Sequence, residues 1–362
     1  MQPLSKATGG SYHFTDRPQD PGPGTRSLCA IIAAMSRTLS IGELRLPFPF
    51  TLAPMAGVSD LAYRLVSRSF GVTLAFTEMI SARALKYGNK RCQDMLTSVD
   101  ADRPLGVQLV AGDQESIRAG LEVLEQRPFD VIDFNAACPV SKIVRRGEGA
   151  GLLKDPQRLR ELVSLLVRRS GKPVTLKIRA GWDAASINAA EIARMAEDVG
   201  VAAVCVHGRT RVQGYDGAVD YGIIRRVKEA VAIPVIGSGD VFSGELALKM
   251  FGETDCDGVA VARGSMGNPW IFREITELLC HGTVPARPSK DEIISTMRDH
   301  LNLSMTLLGE TLGVLTFRKF FVWYSHGFAK ARPLRTKALQ ARSIGEMLGV
   351  IEELHAQHHD HG

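Results

Sequence analysis

Nothing in this chain approaches the run of roughly 20 apolar residues that a membrane-spanning helix needs. The most apolar stretch near the start, residues 28–35, is far shorter. The start itself is polar and rich in proline and glycine rather than basic, so no secretory leader is expected and the protein is read as cytoplasmic. Cysteine is scarce and scattered. Cys29, Cys92, Cys138, Cys205, Cys256 and Cys280 contain no C-x-x-C pair, which argues against a zinc site and against a disulfide framework. Extreme charge is missing as well. A net charge of +5 permits a polyanionic partner but is not the charge density of a histone-like binder. No Ser-His-Asp or Cys-His order stands out by spacing. What is present is ordinary globular composition, 45% hydrophobic and 23% charged over 362 residues. That length suits an α/β barrel of about 250 residues with a smaller domain attached.

Residues 1–40 read as a disordered extension, because the segment 16–24 (DRPQDPGPG) has little apolar surface to bury. Met35 is an alternative start to Met1. From about residue 49, short apolar runs recur at 50–55, 74–79, 105–110, 131–135, 174–179, 203–207, 234–239 and 258–263. Residues 156–169 and 185–199, among those between the runs, have helical spacing. Eight strand candidates alternating with helices predict a (β/α)8 TIM barrel. An open doubly wound sheet is the alternative. Beyond about residue 273 the strand pattern stops, and 291–308, 312–324 and 343–357 read as amphipathic helices. The expected organisation is an extension over 1–40, a catalytic barrel over 41–280 and a linker over 281–289. A small C-terminal all-helical domain over 290–350 and a His-rich tail over 351–362 complete it.

In a barrel, function gathers at the C-terminal strand ends and the loops that follow them. Those ends are polar here: Pro54-Met55-Ala56, Gln108, Asn135 with Cys138, Lys177 with Arg179, His207 with Arg209, Ser238-Gly239-Asp240 and Ala262-Arg263. Glycine-bearing turns after the last two strands, with Arg263 beside them, suit a phosphorylated cofactor. Lys177 on an apolar strand needs a partner. That partner is either a ring carbonyl or reduced flavin, or a salt bridge to Asp133 or Glu78. Gln108 either binds a ring edge or is a solvated strand end. His207 either donates to a phosphate or ring or is a structural histidine. Cys138, with Lys142, Arg145 and Arg146 downstream, sits in a setting that favours thiolate. Cys205 and Cys256 fit better as small buried hydrophobes.

The ordered motifs LAPMAGVSD (52–60), PLGVQL (104–109), DFNAACP (133–139), LKIRAGW (176–182), HGRTR (207–211), GD (239–240) and ARGSMGNPWIF (262–272) resemble the bacterial tRNA-dihydrouridine synthases, most of all the type B subgroup. The resemblance covers about residues 46–327. It implies an FMN-binding barrel followed by a small helical domain, with NADPH as electron donor and tRNA as substrate. Pro54, Met55 and Ala56 would line the flavin, and Gln108 and Lys177 would bind its ring. His207, Ser238, Gly239, Asp240, Ala262 and Arg263 would hold the phosphate side. Cys138 would give the proton, and Asn135 would help place the uracil. Lys142, Arg145, Arg146, Arg179, Arg209 and Arg211 are the RNA-facing candidates at the mouth. Arg318, Lys319, Lys330, Arg332, Arg335 and Lys337 are those on the helices, whereas Trp323 and Tyr324 read as helical core.

The chain departs from the family pattern at Ala137, Ser238 and Asn268, where Gly, Asn and Arg are usual. Ala137 would strain the loop if positive φ is needed there. Two competing readings remain at this point. One is a flavin-dependent dihydroorotate or dihydropyrimidine dehydrogenase acting on a free pyrimidine; the other is a non-catalytic tRNA-binding protein.

Overall fold

The computed structural model describes residues 38–359. Its centre is a closed parallel barrel. The strands are β3 (Phe50–Leu52), β4 (Leu74–Phe76), β5 (Ile80–Ser81), β6 (Leu105–Val110), β7 (Val131–Ala136), β8 (Val174–Arg179), β9 (Ala203–His207), β10 (Val235–Ser238) and β11 (Gly258–Val261). They follow the hydrogen-bonded order β4-β3-β11-β10-β9-β8-β7-β6-β5, and a further β4–β6 pairing closes the ring. β4 and β5 both pair with β6, Ala75 opposite Leu105 and Ile80 opposite Leu109. They form one stave interrupted at residues 77–79, so the barrel has eight staves. Strands β6 and β7 are buried along their whole length, as expected of parallel strands covered by helices. This is the expected (β/α)8 fold rather than an open sheet.

The helices begin where the sequence supplies caps. Asp60, Asp113, Asp155, Asp220 and Ser243 each accept an amide from the first turn of the following helix. Asp155 is followed by Pro156 at the first helical position, where a missing N–H costs nothing. Helix 185–199 starts later than its spacing suggests, at Ala189, because residues 182–188 belong to the loop after β8.

A hairpin of β1 (Leu39–Ile41) and β2 (Leu44–Leu46) precedes the barrel. Leu39, Ile41 and Leu46 are buried in a cluster with Leu74, Val131 and Ala203, all first residues of their strands. The hairpin therefore plugs the end opposite the functional mouth. Disorder does not hold for Leu39 and Ser40, which are strand residues, and Thr38 leads into them; residues 1–37 of the expected extension lie outside the described residues.

Four helices follow the barrel: Lys290–Leu308, Glu310–Tyr324, Arg332–Gln340 and Ile344–His359. The third escaped the sequence reading because only Leu334 and Ala338 face the core, amid basic residues. The fourth runs through Ile351 and Leu354, both buried, as the helical spacing of 343–357 suggests. These helices dock on Leu61–Ser69. Tyr63 stacks on Phe320 at 5.3 Å, and buried His300 Nδ1 lies 3.1 Å from the Tyr324 hydroxyl. Gly267, in the loop after β11, lies against Trp323 so closely that a Cβ there would fall 2.4 Å from its carbonyl carbon.

Candidate active site

The end of β7 turns around one carboxamide. Asn135 Oδ1 accepts from the amides of Ala137 at 3.0 Å and Cys138 at 2.8 Å. On the other side, the Ala150 amide donates to the Cys138 carbonyl at 3.0 Å. Gly149, with φ of +56°, packs so tightly that a Cβ would stand 2.9 Å from that carbonyl oxygen. Cys138 is thus held from both sides and remains half-buried. Ala137 does not have the positive φ that would strain it, and its carbonyl accepts from Arg179 Nε at 2.8 Å.

The basic setting that favours thiolate in the sequence is outweighed in the structure. Burial pushes the Cys138 thiol up, and Glu148 pushes the same way; the Val140 amide and Arg179 pull it down. Lys142, Arg145 and Arg146 are exposed and are not among the groups that act on the thiol. The proton stays on sulfur at neutral pH, so the group is an acid in waiting rather than a nucleophile.

Beside the loop lies a polar floor. Gln108 and Asn135, 2% and 5% exposed, share a hydrogen bond of 2.8 Å; Gln108 is no solvated strand end. Lys177 Nζ lies 3.1 Å from Cys205 Sγ. No ion pair joins Lys177 to a carboxylate among the described residues, and Glu78 instead accepts from the Gly57 amide. The salt-bridge alternative for Lys177 is therefore set aside. A cavity of about 10 Å³ lies among Pro54, Phe76, Asp133, Thr175, Lys177 and Cys205, room for about one water. Asp133 is the residue sequence reasoning missed as part of the floor. Burial pushes its carboxyl up to about 6, against the pull of Gln108, Thr175 and Lys177.

Across the mouth, His207 ends β9 buried. Burial, then Arg179, Lys177, Arg209 and Arg263, pushes its imidazole down to about 2, so it is neutral. Two expectations change here. Arg179 and Arg209 are each 2% exposed and do not face solvent for RNA. Arg179 donates to the carbonyls of Ala137, Thr210 and Gly214, and Arg209 to Asp240 and Gly217. Both brace loops. The Asp240 carboxylate is no phosphate ligand either, because it pairs with Arg209 and Arg263; only its amide is suited to that work.

The last two turns have backbone geometry open to an anion. Gly239 has φ of +128°, and Gly264 sits where a Cβ would fall 1.8 Å from the Val241 carbonyl oxygen. Only glycine permits that approach. The amides of Gly239, Asp240, Arg263 and Gly264 meet no acceptor among the described residues. Beside them, Ser238 and Ala262 end β10 and follow β11. With Lys177, Arg179, Arg209 and Arg263 all pressing on one histidine, positive charge outweighs negative, and this donor set fits an anionic phosphate. The free donors of Gln108 and Lys177, near half-buried Pro54 and Met55 and exposed Ala56, fit the carbonyls of a planar ring. The residues present therefore suit a phosphorylated flavin.

Tyr215 was also missed. Its exposed ring lies 4.5 Å from the Arg263 guanidinium, 5.4 Å from that of Arg179 and 6.1 Å from the His207 ring. It stands in a loop with no motif, so no sequence signal marks it. Of the departures, Asn268 donates to the Gly264 carbonyl at 3.2 Å, and the Ser238 carbonyl accepts from Gly208 at 3.3 Å.

The RNA-facing candidates separate by exposure. Lys142, Arg145 and Arg146 are exposed beside Cys138, and Lys330 and Arg332 are exposed on the helical side. Arg211 packs on the Trp182 ring, 4.7 Å from its centre. Arg318 donates to the Ala341 carbonyl at 2.7 Å, Arg335 to the Ser325 carbonyl at 2.8 Å, and Lys337 pairs with Glu353 at 2.6 Å. Arg318 and Arg335 are drawn into the fold, whereas Lys337 stays exposed beside Glu353. Lys319 is half-buried and attracted by Asp60 and Glu78. Tyr324 is core, 1% exposed, and Trp323 is partly buried against it.

The profile of the dihydrouridine synthase (Dus) family matches residues 51–358. The chain is 33% identical over 323 residues to tRNA-dihydrouridine synthase B of Pseudomonas aeruginosa, covering 89% of this chain and 97% of that protein. It is 34% identical over 318 residues to a probable tRNA-dihydrouridine synthase of Rhodobacter capsulatus, covering 87% and 97%. Among solved structures it is similar in fold to 6-hydroxypseudooxynicotine amine oxidase of Pseudomonas geniculata, with TM-score 0.55, 14% identity and coverage of 69% and 50%. Histamine dehydrogenase of Rhizobium gives TM-score 0.53, 12% identity and coverage of 75% and 51%. The chain thus spans about half the length of each of these two.

Proposed function

The chain belongs to the dihydrouridine synthase family, and on that membership we propose that it reduces the C5=C6 bond of specific uridines in tRNA to 5,6-dihydrouridine, with tightly bound FMN and with NADPH as donor. The observation that carries this reading is the placement of a protonated, loop-locked Cys138 beside a donor set suited to a phosphorylated flavin.

Bound at this site, FMN reduced by NADPH would supply the hydride that C6 of the uracil receives. Cys138 donates the proton to C5 from the thiol and is reprotonated from solvent afterwards. Gln108 and Lys177 orient the ring through their donors. The amides of Gly239, Asp240, Arg263 and Gly264, with the Arg263 guanidinium, bind the phosphate. Neutral His207 contributes an N–H without adding charge. Asn135 acts chiefly by holding the Cys138 amide, with one N–H left for the substrate. The target base leaves its stack to enter the mouth. Lys142, Arg145 and Arg146 draw the RNA backbone there, and Lys330 and Arg332 do so on the helical side.

In this reading the helices after residue 289 form the tRNA-binding domain and the barrel before residue 281 the catalytic one. The described residues include no helix long and apolar enough to cross a membrane, and a tRNA substrate places the enzyme in the cytoplasm. The test maps dihydrouridine in tRNA from a strain lacking the gene, with and without the gene restored. Dihydrouridine at a defined position that depends on the gene is the expected result. Reduction of free uracil or orotate with no change in tRNA would favour the free-pyrimidine reading.

A further inference from the structure

Asp133 sits in the middle of β7, facing inward and 3% exposed. Its Oδ1 accepts from Thr175 Oγ1 at 2.7 Å, and its Oδ2 accepts from Gln108 Nε2 at 2.7 Å. An ionised carboxylate has no proton to give, so both neighbours must donate to it. Gln108 has then committed its NH2 end, and its carbonyl points the other way, where Oε1 accepts from Asn135 Nδ2 at 2.8 Å. That in turn leaves the Asn135 carbonyl facing the amides of Ala137 and Cys138 at 3.0 and 2.8 Å. The two ends of a carboxamide have nearly the same shape. Packing alone does not choose between them; the polarity of the partners does.

We propose that Asp133 is a positioning residue that fixes the direction of this hydrogen-bond chain and thereby the placement of Cys138. The chain runs from Thr175 on β8 through Asp133, Gln108 and Asn135 to the Cys138 amide, and every side chain in it is 5% exposed or less. If position 133 offered a proton instead, Gln108 would turn its NH2 toward Asn135. The Asn135 carbonyl would swing toward Gln108, and its NH2 would face the amides of Ala137 and Cys138. Four N–H bonds would then point into one space with no acceptor, and the loop would move. The same direction leaves one Gln108 N–H free toward the ring site. One buried acid thus sets both the proton donor and one ring contact. The inference rests on the reading of Cys138 as proton donor.

The test moves the charge and asks whether direction follows it. Asp133→Asn keeps the shape but lets the chain run either way. In Asp133→Asn/Gln108→Glu the carboxylate moves to position 108. There it accepts from the new carboxamide at position 133 and from Asn135, so the Asn135 carbonyl again faces Cys138. The readouts on the purified holoenzyme are the rate of Cys138 alkylation by iodoacetamide, followed on its peptide by mass spectrometry, and dihydrouridine formation on tRNA. Asp133→Asn is expected to change Cys138 alkylation several-fold and to slow turnover about ten- to a hundred-fold, the size expected of a misplaced catalytic group.

The double variant should restore the alkylation rate. A loss that it does not restore is the signature of packing alone and overturns the proposal, as does an Asp133→Asn protein with unaltered Cys138 alkylation. Thr175→Val removes a donor without touching the direction as long as Asp133 stays ionised, so at a pH well above its value of about 6 the alkylation rate should match the parent. A changed rate under that condition overturns the proposal even if the Asp133 variants do not fold. Alkylation needs no tRNA. If it follows the carboxylate while no dihydrouridine is ever made, the positioning role stands and the functional reading falls.

Discussion

Lys177 and Cys205 are partners across the β8–β9 register, and Lys177 Nζ meets Cys205 Sγ at 3.1 Å. A thiol is a weak acceptor. The ammonium therefore keeps N–H donors for whatever stands above it, with the Asp133 carboxyl as its charged neighbour. Removing the ammonium should weaken flavin retention by about 1.5–3 kcal/mol, the range for a hydrogen bond from a charged group. The flavin-to-protein absorbance ratio of Lys177→Ala after gel filtration checks this, and an unchanged ratio would remove Lys177 from the ring site.

Cys138→Ala should keep its flavin and its NADPH oxidation while losing dihydrouridine formation by about 10²- to 10⁴-fold, the usual contribution of a positioned acid. Full activity on native tRNA ends its role as proton donor. In the parent protein, alkylation of Cys138 should rise with a midpoint above the ordinary thiol value of 9.0, because burial raises it. A midpoint below that value would restore the thiolate reading.

Asp133 gives a stability prediction whose sign follows from its burial. Its carboxyl is pushed up to about 6 in the fold, against about 3.9 unfolded. The folded state then holds the proton more tightly, so the contribution is present below pH of about 4 and lost as pH rises through about 6. Each pH unit between the folded and unfolded values corresponds to about 1.4 kcal/mol, so the change is on the order of 1–3 kcal/mol. Urea unfolding of the parent and of Asp133→Asn at both ends of that window should show a stability gap that changes by this amount. A constant gap rules it out.

Affinity for tRNA should fall with salt. Replacing Lys142, Arg145 and Arg146 together by Ala should flatten the log–log slope by up to about 0.7–0.9 for each phosphate no longer neutralised. Replacing buried Arg209 should instead destabilise the fold, because it removes the donors to the Gly217 carbonyl and one of the two partners of Asp240. Filter-binding titrations at several salt concentrations separate the two, and an unaltered slope in the triple variant moves the RNA elsewhere.

The barrel was legible because its strands are short apolar runs between amphipathic helices; strands β6, β8 and β9 and the helix Pro156–Arg169 have the bounds their patterns suggest. The polar strand ends were legible for the same reason, since polar residues interrupt those runs. Direction and pairing were not. Nothing in the sequence says that Arg209 finds Asp240, 31 residues away, or that the neighbour of Lys177 is a thiol. Cys138 looked like a thiolate because cations follow it in sequence; in space those cations face solvent, and burial decides. Tyr215 carries no pattern, because an exposed aromatic in a loop has neither periodicity nor spacing.

The contact of Gly267 with the backbone of Trp323 bears on the RNA more than on the enzyme. Backbone against backbone leaves no side chain to yield, and Tyr63 on Phe320 adds a second fixed point nearby. The helices are then fixed against the loop after β11 before any substrate arrives. Accommodation must come from the nucleic acid, whose own stiffness around each uridine becomes part of the choice of which one is reduced.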